Sequence, residues 1–317
     1  MNIVYSTDEN YAKFCLASLE SLMETNKKDV KVYIIENDLK KETKQKMEKI
    51  VEKNGELKFI DCKKIYENLL HDNNFPFAGY ARLFIQDEIK EDKVIYLDCD
   101  LIVENDLEEL YNIELGDNLV GAVQDPCGSE SIKLPIGMDK NDRYINSGVL
   151  LINLKKWREI NFKEMVIQFI KEHKGNVAHR DQGIINGICK GNILYLNPKF
   201  NLMPEMIMMK SEHLKKIYKM KEFYSCEELE KAKENPTIVH FIRKVYNRPW
   251  YIENPHPFQK HFLRYYEKIG GNLESLPLPK KVRARIFVYK HFPFQIYFIL
   301  ERILKYKRKK ATLKEYK

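Results

Sequence analysis

Val94-Ile95-Tyr96-Leu97-Asp98-Cys99-Asp100 is the stretch on which the fold turns. Four apolar residues make a short buried strand, and it runs straight into two carboxylates spaced i, i+2. Side chains on an extended backbone alternate faces, so Asp98 and Asp100 emerge on one side, just past the carboxyl end of the strand. Open α/β sheets bind their ligands at that edge. Two hard oxygen donors held together there suit a divalent cation, and the cation would neutralise a nucleotide diphosphate. An acidic loop that merely follows a strand has the same sequence, so the flanking segments must decide.

Towards the amino terminus, residues 2–5 form a short apolar strand, after which Tyr11, Phe14, Cys15, Leu19 and Leu22 recur at helical spacing. Residues 30–35 read as the next strand and 39–51 as a charged amphipathic helix closed by Asn54-Gly55 as its C-cap. A third strand follows at 57–60. Strands separated by helices of this length imply right-handed crossovers and a mostly parallel sheet. Beyond the acidic pair, residues 119–123, 149–154, 193–196 and 237–240 are further strands, and 155–173 a single helix. No internal repeat or low-complexity linker precedes about residue 270, so one mixed α/β unit is expected. No two glycines are spaced G-x-G, and G-K-[ST] and G-x-S-x-G are also missing. Those absences remove the dinucleotide fingerprint, the phosphate loop and the hydrolase elbow.

A chain of 317 residues with 44% hydrophobic and 12% aromatic content can bury a large core. Its six cysteines are scattered without a C-x-x-C pair, which gives neither a zinc site nor a disulfide framework and suits a reducing cytosol. The first residues lack a basic region followed by a long apolar stretch, so no secretory signal is expected. The net charge of +8 is unevenly spread: residues 280–317 hold thirteen Lys or Arg against Glu301 and Glu315, which leaves the first 279 residues at −3. A mildly acidic body offers no basic face to nucleic acid.

Five further segments carry polar groups that a packed core does not need. Ser6-Thr7-Asp8-Glu9-Asn10 follows the first strand at the edge where Asp98 lies, and offers amides, a carboxylate and a carboxamide to a base and ribose; a helix cap is the competing reading. Tyr80-Ala81-Arg82-Leu83-Phe84 places one arginine in an apolar stretch, as a charge-assisted donor or as the partner of a structural carboxylate. Tyr144-Ile145-Asn146-Ser147-Gly148 leads into an apolar strand, either as a close-approach site with Asn146 facing a polyol or as a plain entry turn. His179-Arg180-Asp181-Gln182-Gly183 packs four polar side chains before a helix, where an N-cap role for Asp181 is the competing reading. His240 ends the strand Thr237-Ile238-Val239; an imidazole joining two carboxylates favours manganese over magnesium or calcium.

Taken in order, these motifs resemble family 8 of the retaining glycosyltransferases, and within it the bacterial lipooligosaccharide α-1,4-galactosyltransferases and lipopolysaccharide glucosyl- and galactosyltransferases. The resemblance runs from residue 1 to about 250 and includes Asn146-Ser147-Gly148-Val149-Leu150-Leu151-Ile152-Asn153-Leu154-Lys155-Lys156-Trp157. It implies a GT-A fold: Rossmann-like, with a mostly parallel mixed sheet flanked by helices, a UDP-galactose or UDP-glucose donor, and Mn2+ with Mg2+ as the alternative. Residue by residue, it implies donor contacts from Ser6, Asp8, Asn10, Arg82 and Asn146, and metal ligation by Asp98, Asp100 and His240. Asp181 and Gln182 fall beside the donor hexose, and Asp125 near the acceptor. The family's glycine-containing loop ending Lys-Pro-Trp is replaced by His240-Phe241-Ile242-Arg243-Lys244-Val245-Tyr246-Asn247-Arg248-Pro249-Trp250, two residues longer. Arg248 then stands in for the phosphate-binding lysine, with Arg243 or Lys244 replacing the lost glycine amide.

The expected organisation is a catalytic domain over 1–270 and a basic, aromatic, amphipathic tail over 271–317. In the tail, Lys290, His291 and Pro293 interrupt an apolar run too short to span a bilayer, and 305–310 is almost wholly basic. Such a segment suits peripheral attachment to the anionic cytoplasmic face of the cell membrane, with a lipid-linked glycan as acceptor. A protein or soluble sugar acceptor is the alternative, as is a nucleotide-sugar-binding module without turnover.

Overall fold

Strand β1 (Asn2–Asp8) sets the pattern of the molecule: Ile3 and Tyr5 point into one core, Val4 into another, and all three are fully buried. A strand apolar on both sides needs a layer on each face. The computed structural model describes residues 1–64 and 77–315. It supplies those layers with α1 (Ala12–Thr25), β2 (Val30–Asn37), α2 (Lys41–Val51), β3 (Gly55–Asp61), β4 (Lys93–Leu97), β5 (Leu101–Val103), β6 (Val120–Gln124), β7 (Ile145–Asn153), α3 (Leu154–Glu159), α4 (Phe162–Glu172), α5 (Arg180–Cys189) and β8 (Ile193–Tyr195). The chain continues through α6 (Ser211–Tyr218), β9 (Ile238–His240), α7 (Gln259–Lys268), α8 (Lys280–His291) and α9 (Phe294–Glu315). The main sheet has the order β3-β2-β1-β4-β7-β6-β8, and β5 pairs with β9 in a small second sheet.

All strands of the main sheet run parallel except β7, which is antiparallel to both β4 and β6. Its reversal puts the beginning of β7 at the edge where β1, β4 and β6 end. The strand also starts earlier than the sequence suggests. Asn146, Ser147 and Gly148 lie inside it, not in a turn before it, because Ile145 already pairs with Gln124.

Two further expectations are corrected. The helix expected over 155–173 breaks at Asn161, whose φ of 53° is left-handed, and Phe162 folds back to stack on Trp157 with ring centroids 3.9 Å apart. Gly55 is the first residue of β3, not a left-handed cap. A Cβ there would lie 2.4 Å from the Val30 carbonyl oxygen, so the glycine permits strand pairing.

The described part of the tail packs on the body through the helical pair α8 and α9. Leu278, Ile286 and Tyr297 join the main core, Tyr289 Oη lies 2.7 Å from His213 Nδ1 on α6, and Phe294 stacks on that imidazole at 3.6 Å. On the outer side Phe287, Phe292, Ile296, Ile299 and Ile303 are exposed. Side chains of the basic run 305–310 lie outside the described residues.

Candidate active site

Two backbone registers assemble the acidic centre. Asp98 leaves β4 with its N–H donating to Gly148 O at 2.8 Å, which ties it to β7. Asp100 precedes β5, and antiparallel pairing of β5 with β9 sets Leu101 opposite His240. The N–H of Phe241 donates to Asp100 O at 2.8 Å. His240 Nε2 consequently lies 3.2 Å from Asp100 Oδ1 and 3.8 Å from Asp98 Oδ2. One ligand atom from each of Asp98, Asp100 and His240 falls within 4.8 Å of the others, so the three sequence-predicted ligands converge.

Whether they suit a divalent cation is tested by the space beside them. A Cβ on Gly148 would lie 2.2 Å from His240 Cε1 and 2.8 Å from Asp98 Oδ2, so the cradle exists because that residue has no side chain. Burial drives the His240 imidazole down to about 4, against the pull of Asp98. It is neutral near pH 7, as a ligand must be. Two carboxylates and one imidazole are a donor set that fits Mn2+.

Arginines flank this centre. Arg82 donates to Asp98 Oδ1 at 2.7 Å and to Ser147 O at 2.7 Å, its Nε lies 3.3 Å from Asp181 Oδ2, and its guanidinium stacks 4.2 Å over Tyr96. Burial opposes its charge, but Asp98, Tyr96 and Asp181 outweigh that and raise it above the usual guanidinium value. Arg248 pairs with Asp100. Pro249-Trp250 anchors its loop: Trp250 stacks on Phe14 of α1 with centroids 3.7 Å apart.

A cavity lined by Ser6, Asp8, Arg82, Asp98, Asp100 and Arg248 opens on one side of the centre. Asp8 also accepts the N–H of Tyr11 at 3.0 Å in the turn before α1, whose N-cap is Tyr11 and carries no side-chain cap bond, so Asp8 is not the helix cap. Asn10 lines a neighbouring hollow with Arg243 and Trp250. Arg82, Asp98, Asp100 and Arg248 also line a second cavity, walled further by Asp125, Asn146, Asp181, Gln182 and Lys244.

There Gln182 Oε1 accepts from the Ser147 N–H and from Asn146 Nδ2, both at 3.2 Å, while Gln182 Nε2 donates to Asp125 Oδ2 at 3.2 Å. Burial raises the Asp181 carboxyl above its usual range despite Arg82. Asp125 goes the other way: burial would raise it, but Lys244, the Cys127 N–H, Asn146 and Gln182 together hold it below the usual range.

Sequence reasoning missed two members of this site, Glu205 and Asn201, and gave a third, Lys244, a different place. Lys244 turns from the metal centre and lies 3.5 Å from both Asp125 Oδ1 and Glu205 Oε1, so it does not take the place of the lost glycine amide. Glu205 is 1% exposed, and its Oε2 has no hydrogen-bond partner. Asn201, fully buried, accepts at Oδ1 across 3.0 Å from His240 Nδ1. Neither Glu205 nor Asn201 stands in a motif; an isolated polar residue in an apolar run was the one available signal.

A family model described as glycosyl transferase family 8 matches residues 2–252. The chain belongs to glycosyltransferase family 8. Relatives of this family 8 protein extend along most of its length. General stress protein A of Bacillus subtilis (strain 168) is 30% identical over 288 residues, covering 87% of this chain and 96% of that protein. Lipopolysaccharide 1,3-galactosyltransferase of Salmonella typhimurium is 24% identical over 283 residues, covering 83% and 77%. Among solved structures, the galactosyltransferase LgtC in complex with donor and acceptor sugar analogs superposes with a TM-score of 0.67 at 24% identity, covering 90% of this chain and 99% of that one. The fold is GT-A, and the family 8 assignment makes the chain a glycosyltransferase. Among the described residues, no helix is long and apolar enough to cross a membrane.

Proposed function

We propose that this glycosyltransferase moves galactose or glucose from a UDP-sugar to a glycan acceptor, with retention of anomeric configuration and with Mn2+ held by Asp98, Asp100 and His240. The observation that carries the proposal is the convergence of those three ligands between two cavities, with Arg82 and Arg248 at the junction. A diphosphate laid across that junction places uridine towards Ser6, Asp8 and Asn10 and the hexose towards Asn146, Asp181 and Gln182. The bound cation supplies positive charge to the leaving diphosphate.

The chain's own residues account for the rest of the chemistry. Arg82 is held in place by Asp98, Asp181 and Ser147 and so meets the diphosphate as a fixed cation, without reorganisation. Gln182 Oε1, aimed by the Ser147 N–H, stabilises positive charge as it develops on the sugar. An amide is a poor nucleophile, so the acceptor hydroxyl attacks from the face that UDP leaves, without a covalent intermediate. Asp181 orients the hexose, and Asp125 receives the acceptor. The likeness to the Salmonella lipopolysaccharide 1,3-galactosyltransferase supports a lipid-linked acceptor. The exposed Phe287, Phe292, Ile296, Ile299 and Ile303, set among the cations of the tail, support peripheral attachment to the anionic inner face of the membrane.

A panel of UDP-sugars with Mn2+, scored for UDP release, tests the reading. Turnover of UDP-galactose or UDP-glucose that stops on chelation is expected. Pyrophosphate release from a nucleoside triphosphate would instead make the chain a nucleotidyltransferase, and failure to release UDP from any donor would leave a binding module.

A further inference from the structure

His240 brings a nitrogen to the proposed cation site, and the group facing its other nitrogen is fixed as an acceptor by hydrogen bonds that begin at the backbone. The N–H of Gly148 can only donate, and it lies 2.9 Å from one end of the Asn146 amide, which must therefore be Oδ1. The other end of Asn146 faces acceptors only, Asp125 Oδ2 at 3.3 Å and Gln182 Oε1 at 3.2 Å, as an NH2 group requires. Asn146 Oδ1 also lies 2.9 Å from one end of the Asn201 amide, so that end is Nδ2 and the opposite end is Oδ1. Asn201 Oδ1 faces His240 Nδ1 at 3.0 Å and can only accept. On the other side of the ring Nε2 lies 3.2 Å from Asp100 Oδ1, which also can only accept, so the two acceptors compete; the Asp100 carboxylate is shared with Arg248, and the shorter contact with Asn201 favours the proton on Nδ1.

We propose that Asn201 is the positioning residue that holds His240 in the Nδ1–H tautomer and thereby presents a bare Nε2 to a divalent cation between Asp98 and Asp100. The inference rests on the cation site of the proposed function, and it adds a residue to it. Its logic is that of the outer hydrogen bonds that orient metal-bound histidines elsewhere. The backbone explains why Asn201 is available. His240 N–H donates to Leu202 O at 3.1 Å, and Leu202 bridges to Val239, so the residue before Leu202 is carried alongside the imidazole. Both amides are buried, Asn201 fully, so their bond to each other is shielded from solvent. The relay also joins the cation site to the hexose side, since Asn146 is shared between Asn201 and the pair Asp125 and Gln182.

The tautomer is readable without turnover. Long-range 1H–15N correlation on full-length protein carrying 15N-histidine is expected to show His240 protonated at Nδ1 in the wild type, an observation that needs no variant and no metal. A bare Nδ1 with the proton on Nε2 overturns the inference. Asn201→Leu is expected to move the proton to Nε2 and to weaken Mn2+ binding 10- to 100-fold by electron paramagnetic resonance of free Mn2+. Asn201→Asp, which still accepts from Nδ1–H, should keep the tautomer and most of the affinity. Equal Mn2+ affinity in wild type and a folded Asn201→Leu protein overturns the inference as well. If the wild type binds no Mn2+, the proposed function falls, and the nitrogen spectrum still decides the relay.

Discussion

Three groups meet on Asp100: the Arg248 guanidinium, His240 Nε2 and, at its carbonyl, the N–H of Phe241. Asp100→Asn keeps the shape and the backbone bond but removes a negative ligand, so transfer should fall at least a hundredfold with the thermal midpoint nearly unchanged. A rate within about threefold of wild type at saturating Mn2+ would be less than one decade of transition-state stabilisation and would remove Asp100 from the cation site. Gln182→Ala should lower kcat more than it raises KM for the donor, because the contact strengthens only as the sugar becomes positive. A covalent glycosyl adduct on Asp181, trapped in Gln182→Glu protein, would replace the single front-face step by double displacement. At this scale the legible part of the site was the part whose chemistry sits on neighbouring residues, as in Asp98-Cys99-Asp100 or Asp181-Gln182. Asn201 was not legible, since its two partners lie 39 and 55 residues away, and an amide without them is one more buried asparagine. Lys244 was misplaced for a similar reason: the carboxylates that draw it away from the metal centre come from distant segments.

The strand and helix that carry the site respond differently to change. In β7, Gly148→Ala would press a methyl group onto the His240 ring and the Asp98 carboxylate. Loss of Mn2+ binding, measured by titration calorimetry, is expected to exceed any loss of fold stability. In the tail, Phe287 and Ile299 are 56% and 58% exposed, so replacing both by glutamate should leave the body intact. Binding to phosphatidylglycerol vesicles should drop by an order of magnitude or more, with UDP-sugar hydrolysis retained. Cations near such a surface contribute on the order of 1 kcal/mol each and are screened by salt. Unchanged co-sedimentation would refute the anchor. Deletion of the whole tail is a poorer probe, because it also strips Ile286 and Tyr297 from the core. Hydrophobic periodicity located the strands through β4 because each has its own apolar run. It could not locate the start of β7, where polar Asn146 and Ser147 are buried by the sheet around them, nor the break at Asn161, which depends on Phe162 reaching Trp157.

For the molecule as a whole, acid is the condition to which its buried histidines expose it. His256 sits among the rings of Phe241, Tyr246 and Phe258, accepts the Phe258 N–H at Nδ1, and is pushed by burial down to about 3. The unfolded chain therefore takes up this proton first, near pH 6.5, and stability falls as the pH drops from there towards 3. Between pH 7 and 5 the loss from this group is about 2 kcal/mol. Denaturant unfolding at both pH values should show His256→Gln losing about that much less than wild type; an equal loss would mean that the imidazole is already protonated in the fold.

The reversed strand at the centre of the sheet bears on how such a protein is remodelled. Leu97 and Val149 are register partners, so Asp98, the proposed cation ligand that follows one, and the proposed sugar-side residues that precede the other are neighbours across a single interstrand spacing of about 4.8 Å. Hydrogen bonds along the length of β7 hold that spacing, whichever side chains project from it. Donor preference thus becomes an adjustable property of a rigid chassis: side chains of the second cavity outside the relay and the proposed catalytic pair, such as His179, can be varied to explore new sugars while the ruler that would space sugar from diphosphate stays the same.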